Sequence, residues 1–302
     1  MIIDVHAHIG DLRSPKNLHR KPVTLESLIA RLDEEGIDLA VVLPWPPCPE
    51  AVEFPSLFSP YPDIVSQIKA TLKYPRRLIP FGNIDPRWGG NSARTDFSWL
   101  LERFIEMGCV GIGEVSANML FDDPRVINLF KQCGEWDLPV TIESTGPGEG
   151  HYGFIDDVGS PHLENLLKKV PDTIIIGHGP GFWADIGEGI TVEEKSGYPK
   201  GPIHKEGAVP RLLRTYHNLY ADISAFSGYN ALTRDKEFGI NFLNEFEDRL
   251  LFGTDVCFGD PEGRSLHLKY LKKLLEEGKI TKKTFEKITS RNALKVMKRF
   301  RM

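Results

Sequence analysis

The sequence has few cysteines, no long hydrophobic run and no large excess of charge of either sign, and each absence excludes a class of protein. Its 302 residues include four cysteines, widely spaced and without a Cys-x-x-Cys pair, which favours a reduced cytoplasmic protein over a disulfide framework. No apolar run approaches the roughly 20 residues that span a bilayer. A net charge of −5 predicts no general attraction to nucleic acid or to anionic membranes.

The beginning of the chain also lacks two familiar signals. It has none of the basic, apolar and small-residue regions of a signal peptide, and it leads directly into a strand-like segment, so we expect the N-terminus to be complete. The glycine-rich turn that follows the first strand of dinucleotide-binding sheets is missing, since Gly10 is followed by Asp11 and Leu12. This second absence disfavours a doubly wound open sheet.

What the chain does contain is a series of eight short apolar runs, most of them nearly continuous and ending in a polar residue. Such runs are typical of strands that are buried on both faces of a parallel sheet. They recur at intervals of roughly 30 to 45 residues. The eight runs cover residues 2–8, 39–45, 78–85, 110–116, 138–144, 173–179, 219–225 and 250–256.

Stretches with helical periodicity lie between these runs. The first, 24–36, has Thr24 as a predicted N-cap and Gly36 as a predicted C-cap. Similar stretches cover 96–108, 123–137 and 261–278. Strand and helix alternating eight times predict an α/β fold, specifically a (β/α)8 TIM barrel formed as a single domain by residues 1–302.

A further helical stretch, 281–300, follows the eighth strand. It is rich in lysine and arginine, and we expect a C-terminal helical extension that covers the barrel with a solvated basic face. A nucleic-acid-binding patch is the alternative interpretation of the same composition.

The first strand carries a pattern with chemical meaning. Asp4, His6 and His8 are two residues apart, so they share one face of a strand. Two imidazoles on one strand suit a zinc-like ion, because neutral ring nitrogens are good ligands for such ions. A chance His-x-His pair on a polar strand face explains the pattern equally well, and the other strands must decide.

Most of the predicted strands also end in polar or titratable residues. In a TIM barrel the carboxyl ends of the strands meet at the active-site mouth, and buried carboxylates or imidazoles are costly there unless they are paired or bound to metal. The sequence therefore predicts a metal site at this mouth. The residues concerned are His6, His8, Glu114, Glu143, His178, Asp222, Ser224 and Asp255.

Four segments resemble the amidohydrolase superfamily, and more closely its amidohydrolase-related branch, which includes aminocarboxymuconate-semialdehyde decarboxylase. Residues 4–8 (DVHAH) match the strand-one motif and 176–179 (IGHG) match the strand-six histidine segment. Residues 251–255 (LFGTD) match the strand-eight segment, and 292–293 (NA) match the closing Asn-Ala. The resemblance covers essentially the whole chain.

The resemblance implies roles for particular residues. His6 and His8 would be metal ligands, and Asp255 would be a ligand that also takes a proton from the attacking water. His178 would either bind metal or polarise the substrate. The implied cofactor is a divalent metal, zinc foremost, with manganese or magnesium as alternatives.

The implied activity is hydrolysis of a C–N or C–O bond in a small molecule. A metal-dependent decarboxylase of the same branch is the first alternative. The second is a metal-free barrel with a binding role. We expect a small-molecule substrate, and a homo-oligomer is possible in this fold.

The chain departs from the family pattern at strand five, where Glu143 stands in place of a metal-binding histidine. A carboxylate also binds zinc, and it favours harder ions more than imidazole does, so Glu143 is predicted either as a substituted ligand or as a general base. His151 is another candidate replacement. Glu114 resembles the strand-four ligand of TatD-like nucleases, which would permit two metal ions. It could instead support a ligating histidine.

Three connections are expected to shape the pocket. The longest, 179–204, is predicted to be either a lid or an oligomer contact. In the proline-rich 44–62 connection, Trp45 is placed to line the pocket. After strand seven, Arg234 suits either a substrate carboxylate or a surface salt bridge.

Overall fold

Eight parallel strands form in the described part of a computed structural model that covers residues 1–45, 48–146, 150–260 and 266–301. Each strand lies inside one of the predicted apolar runs. The strands are β1 (Ile3–Ala7), β2 (Leu39–Val42), β3 (Leu78–Pro80), β4 (Ile112–Val115), β5 (Val140–Glu143), β6 (Ile175–His178), β7 (Leu219–Asp222) and β8 (Leu250–Leu251).

The strands follow chain order around a barrel. Ladders join β1, β2 and β3 into one sheet and β4 to β8 into another, and backbone hydrogen bonds close the two remaining seams. Between β3 and β4, the Gly113 amide donates to the Gly82 carbonyl at 2.8 Å. Between β8 and β1, the Val5 amide donates to the Phe252 carbonyl at 3.0 Å. The predicted (β/α)8 barrel is thereby confirmed.

Helices occupy the four stretches predicted between strands, and further helices form in connections for which no helix was specified. They are α1 (Leu25–Glu35), α2 (Ile64–Thr71), α3 (Ser98–Glu106), α4 (Pro124–Glu135), α5 (Pro161–Lys169), α6 (Pro180–Ala184), α7 (Val192–Lys195), α8 (Ala208–Thr215), α9 (Ala225–Thr233), α10 (Lys236–Glu245), α11 (Leu266–Glu276), α12 (Lys282–Glu286) and α13 (Asn292–Val296). Short 3-10 helices cover Pro15–Asn17, Pro49–Ala51 and Phe54–Phe58.

The ends of α1 show how the local sequence sets these boundaries. The Thr24 side chain accepts a hydrogen bond from the Ser27 amide and Ser27 returns one, which forms a capping box. Gly36 ends the helix with φ of 71°, a left-handed conformation that glycine adopts without a steric penalty. Residues 261–265 of the predicted helix 261–278 lie outside the described residues. None of the described helices is both long and apolar enough to cross a bilayer.

The C-terminal extension is helical, as predicted, with a π-helical turn (Lys287–Arg291) between α12 and α13. Asn292 ties it to β8 by donating to the carbonyls of Glu247 and Leu250 at 2.7 and 2.8 Å. One buried apolar cluster joins α13 to the strands, and it includes Ile3, Leu39, Val110, Ile176, Ala293, Val296 and Met297. Because several members lie where strands begin, this cluster closes the amino end of the barrel and leaves the opposite end for polar residues.

Candidate metal centre at the barrel mouth

Six of the eight residues predicted at the barrel mouth are candidate metal ligands, and they lie together at the carboxyl ends of the strands. Their ligand atoms fall into overlapping groups of three in which all atoms are within 4.8 Å of one another. Four side chains come from β1, β4, β5 and β6, a fifth continues β1, and the last follows β8. They are His6, His8, Glu114, Glu143, His178 and Asp255.

The two histidines of the first strand form the centre of the cluster. Their Nε2 atoms are 3.0 Å apart. The Oδ1 atom of Asp255 lies 3.5 Å from Nε2 of His6 and 3.3 Å from Nε2 of His8. On the other side, Oε2 of Glu114 lies 3.5 and 3.7 Å from the same two nitrogens. Donor atoms bound to one zinc-like ion, each about 2.1 Å from it, are about 3 to 3.5 Å apart.

Asp222, at the end of β7, orients two of the three imidazoles. Its Oδ2 atom is 2.7 Å from Nδ1 of His6 and 3.0 Å from Nδ1 of His178, and it also accepts a hydrogen bond from the Ser224 hydroxyl at 2.7 Å. Burial alone would raise the pKa of Asp222, but hydrogen bonding and the charge of these histidines outweigh it and hold the pKa well below its usual range. An ionised carboxylate requires N–H at both Nδ1 atoms, so both Nε2 lone pairs face the cluster.

His8 has the same orientation for a different reason. Its Nδ1 atom lies 2.9 Å from the carbonyl oxygen of Leu43, which can only accept a hydrogen bond. In the neutral rings the lone pairs of His6 and His8 therefore meet at 3.0 Å, and a positive charge is needed to relieve their repulsion. A proton or a metal ion meets this requirement, so the donor set fits a divalent cation.

The pKa of His6 reflects the same demand for positive charge. Burial lowers this pKa, but the charges of Glu114 and Asp255 overcome burial and raise it well above its ordinary value. Burial likewise opposes ionisation of Glu114, yet the charge of His6 brings the pKa of Glu114 to about 2. Burial together with the negative charge of Glu114 raises the pKa of Glu143 well above its ordinary value. One carboxylate of this pair is thus ionised and the other holds a proton.

Glu143 reaches the cluster because two glycines leave space for it. Its Oε2 atom is 3.6 Å from Nε2 of His178. A Cβ atom built on Gly179 would lie 2.4 Å from Oε1 of Glu143, and one built on Gly153 would lie 2.9 Å from its Cγ. Any larger residue at these positions would displace the carboxylate.

Cys257 also lies in the cluster, although none of the sequence motifs included it. Its Sγ atom lies 3.3 Å from Oδ1 of Asp255 and forms a candidate metal group with Asp255 and His8. Burial raises the pKa of the Cys257 thiol, and the Asp255 charge raises it further. The available signal was its position two residues after Asp255 in the segment that follows β8.

Asp4, which shares the sequence motif with the two histidines, has a structural role. It is fully buried, and its Oδ1 atom accepts hydrogen bonds from the amides of His6 and Thr254, each at 2.9 Å. Its Oδ2 atom accepts from the Thr254 hydroxyl at 2.6 Å. Asp4 therefore fastens the segment after β8 to β1 and so positions Asp255 beside the histidines.

The connections above the cluster bring aromatic rings to the mouth. The Trp45 ring lies 5.9 Å from the His8 ring and 5.2 Å from that of Tyr152, and its role in lining a pocket stays a prediction. In the longest connection, which contains α6 and α7, the Tyr198 ring packs on Phe226 at 5.1 Å. The lid or oligomer role of this connection stays a prediction.

Two other predicted candidates make contacts of their own. His151 places Nδ1 2.8 Å from the carbonyl oxygen of Gly146 and is in none of the candidate metal groups found among the described residues. The guanidinium of Arg234 packs against Gly187 of the long connection. Neither residue supplies a ligand atom to the cluster in this arrangement.

Replacing Asp222 with asparagine is expected to weaken zinc binding by about 10- to 100-fold, because a neutral amide cannot hold two imidazoles in the required tautomer. Zinc titration of the chelator-treated protein would measure this loss. Asp137→Asn provides a matched control, since Asp137 is an exposed partner of Lys298. Unchanged zinc affinity in Asp222→Asn would contradict the orienting role.

Comparisons with known proteins agree with the fold. A family model described as Amidohydrolase matches residues 57–299, which include β3 to β8 but not the two histidines of the first strand. A search of curated proteins found no match to this chain.

Solved structures of similar fold include an amidohydrolase from Burkholderia multivorans, with TM-score 0.61, 11% identity and 99% of each chain covered. Another is 5-carboxyvanillate decarboxylase from Novosphingobium aromaticivorans in complex with manganese, with TM-score 0.58, 17% identity, and 99% of this chain and 96% of the other covered. A third is described as a probable 2-pyrone-4,6-dicarboxylic acid hydrolase from Acinetobacter baumannii, with TM-score 0.55, 14% identity, and 98% and 99% covered.

Proposed function

The chain belongs to the amidohydrolase family, and we propose that it is a metal-dependent hydrolase that cleaves a C–N or C–O bond of a small molecule. One observation carries this proposal: histidine Nε2 atoms and carboxylate oxygens from opposite sides of the barrel converge in groups whose ligand atoms all lie within 4.8 Å of one another. A bound divalent ion supplies positive charge that brings the pKa of water towards neutrality.

The donor set supports zinc as the resident ion. Imidazole nitrogens from His6, His8 and His178 suit zinc, while Glu114, Glu143 and Asp255 supply oxygen donors. Manganese is the alternative, since carboxylates suit it and the carboxyvanillate decarboxylase structure contains it. Glu143 is proposed as a substituted ligand in place of the family's histidine.

Asp255 is proposed as the group that accepts the proton of the attacking water and delivers it to the leaving group. Its side chain is 21% exposed, whereas those of His6 and Glu114 are 0% and 4% exposed. Asp255 therefore borders the space from which substrate and water approach. Burial opposes its ionisation, but the His6 charge outweighs burial and keeps the pKa of Asp255 below its ordinary value, so the carboxylate is ionised near neutral pH, the form that a proton acceptor needs.

His178 is proposed as a metal ligand in preference to a group that polarises substrate. Its Nδ1–H faces Asp222 at 3.0 Å, so the neutral ring has no proton at Nε2 to donate. Nε2 instead lies 3.8 Å from Glu114 and 3.6 Å from Glu143. A lone pair directed at two carboxyl groups suits a shared cation.

A decarboxylase is the second candidate, and the aromatic mouth favours it. The Trp45 and Tyr152 rings meet edge to face beside His8, and they offer apolar surface to a planar ring. The neighbour 5-carboxyvanillate decarboxylase is named for such a substrate. In this reaction the metal would orient a carboxylate and no water would attack.

Product analysis in ¹⁸O-labelled water separates the two reactions. The protein, purified without chelators, would be incubated with panels of lactones, amides and hydroxybenzoates. We expect ¹⁸O in the product of a lactone or amide, because hydrolysis incorporates solvent oxygen. Release of carbon dioxide without ¹⁸O incorporation would favour the decarboxylase. A protein without bound metal that is inert towards every panel would favour the metal-free binding role.

We also propose a reducing compartment, the cytoplasm, for this enzyme. All four cysteines lie in the described residues and none forms a disulfide, which suits a compartment that keeps thiols reduced.

A further inference from the structure

We propose that Cys257 is a thiolate ligand of the metal centre and makes the β8 side of the cluster selective for zinc-like ions over manganese. This inference rests on the metal centre proposed above and extends it with a residue that lies outside the family motifs quoted for this chain.

The separations between donor atoms suit a shared ion. The Sγ atom of Cys257 is 3.3 Å from Oδ1 of Asp255, and Nε2 of His8 is 3.3 Å from the same oxygen. All three donors lie within 4.8 Å of one another. A tetrahedral zinc ion with sulfur at about 2.3 Å and nitrogen or oxygen at about 2.1 Å places its donors about 3.3 to 3.6 Å apart.

The environment of Cys257 differs from that of the other cysteines. Cys109 and Cys133 are buried in the hydrophobic core, and the Sγ atom of Cys48 lies 3.8 Å from the Tyr152 carbonyl. Cys257 instead places its sulfur against an ionised carboxylate inside a group of histidine and acidic side chains. A packing role explains the three buried thiols but not this one.

The cluster is chemically asymmetric as a result. On the β1 and β8 side, His8, Asp255 and Cys257 offer nitrogen, oxygen and sulfur, whereas Glu114, Glu143 and His178 on the other side offer two carboxylates, one nitrogen and no sulfur. Thiolate selects zinc and cobalt over manganese, while carboxylates accept manganese. When the ion binds, the thiol proton is released to solvent and a metal–sulfur bond forms, with no change of oxidation state.

Cobalt(II) substitution of the full-length protein tests the proposal without an activity assay. Chelator-treated protein and its Cys257→Ser variant would be loaded with Co²⁺ and their absorption spectra compared. We expect a near-ultraviolet thiolate-to-cobalt charge-transfer band in the unmodified protein and its loss in Cys257→Ser. Cys48→Ser is the matched control, because it removes a thiol from another loop near the mouth and should keep the band.

Metal competition provides the second readout. Zinc affinity is expected to fall by at least about 10-fold in Cys257→Ser, while manganese affinity changes by less than about 2-fold. Cys257→Ala should give the same result, and circular dichroism would verify that both variants fold.

The outcomes distinguish this proposal from the metal centre itself. Visible cobalt d–d bands without the charge-transfer band would overturn the role of Cys257 and leave the centre intact. A charge-transfer band that persists in Cys257→Ser, or equal losses of zinc and manganese affinity, would also overturn it. Absence of any cobalt spectrum would overturn the metal centre and this proposal together.

Discussion

Replacing both His6 and His8 with alanine is expected to abolish bound metal and enzymatic activity together. The two Nε2 atoms are 3.0 Å apart at the middle of the cluster, and each lies within 3.7 Å of both Asp255 and Glu114. Without them the ion would keep mainly oxygen donors that repel one another. Elemental analysis of protein purified without chelators, combined with an activity assay, measures both losses.

The double variant also removes buried hydrogen bonds, so its folding must be verified. The double substitution removes one of the two imidazole partners of Asp222 and the imidazole partner of the Leu43 carbonyl, and a buried group left unsatisfied costs about 1 to 3 kcal/mol. Circular dichroism would verify that the double variant folds, and thermal denaturation would measure its loss of stability. His162→Ala is a matched control, since this partly buried histidine pairs with Asp122 away from the cluster. Full metal content in the folded double variant would refute the proposed centre.

Replacing Asp255 with asparagine is expected to lower kcat by about 10²- to 10⁴-fold, the range for losing a positioned acid–base group. Metal should be bound more weakly but still be loaded at excess zinc, because the histidine nitrogens remain. Asparagine is the suitable replacement, since residue 255 has φ of 54° and asparagine tolerates this left-handed conformation better than most residues.

The assay for Asp255→Asn compares kcat and its pH profile at saturating zinc. Loss of the basic group should remove the part of the acidic limb that reports protonation of residue 255, because asparagine gains no proton as the pH falls. Asp260→Asn is the control: Asp260 lies in the same segment but pairs with Arg20 on the surface. An unchanged kcat and pH profile in Asp255→Asn would exclude the proposed proton transfer.

The barrel and the six candidate ligands could be predicted from sequence because both depend on local pattern. A period of two puts His6 and His8 on one face of β1, and the barrel brings the ends of β4, β5, β6 and β8 to the same mouth. Strand-end residues of this kind therefore converge whatever the details of packing. The prediction needed only the order of strands and the residue at which each one ends.

The contacts that orient the site residues could be determined only from the three-dimensional structure. Asp222 was visible as a polar strand end, but its contact partners His6 and His178 lie 216 and 44 positions away in the chain, and only the closed barrel brings them together. The tautomers of the imidazoles depend on these contacts. Asp4 shares the sequence pattern of the two histidines, yet its carboxylate accepts a hydrogen bond from the Thr254 hydroxyl and so has a structural role.

The sequence pattern was sufficient for the fold, the location of the candidate site and its histidine and carboxylate residues, since these follow from side-chain alternation along strands and from the order of the strands. The tertiary structure was needed for the role of each group. Which nitrogen is free to bind, which carboxylate is ionised, and whether Cys257 reaches the cluster all depend on distances of 3 to 4 Å between residues from different strands. Electrostatic and coordination energies change steeply over such distances, and chain order does not specify them.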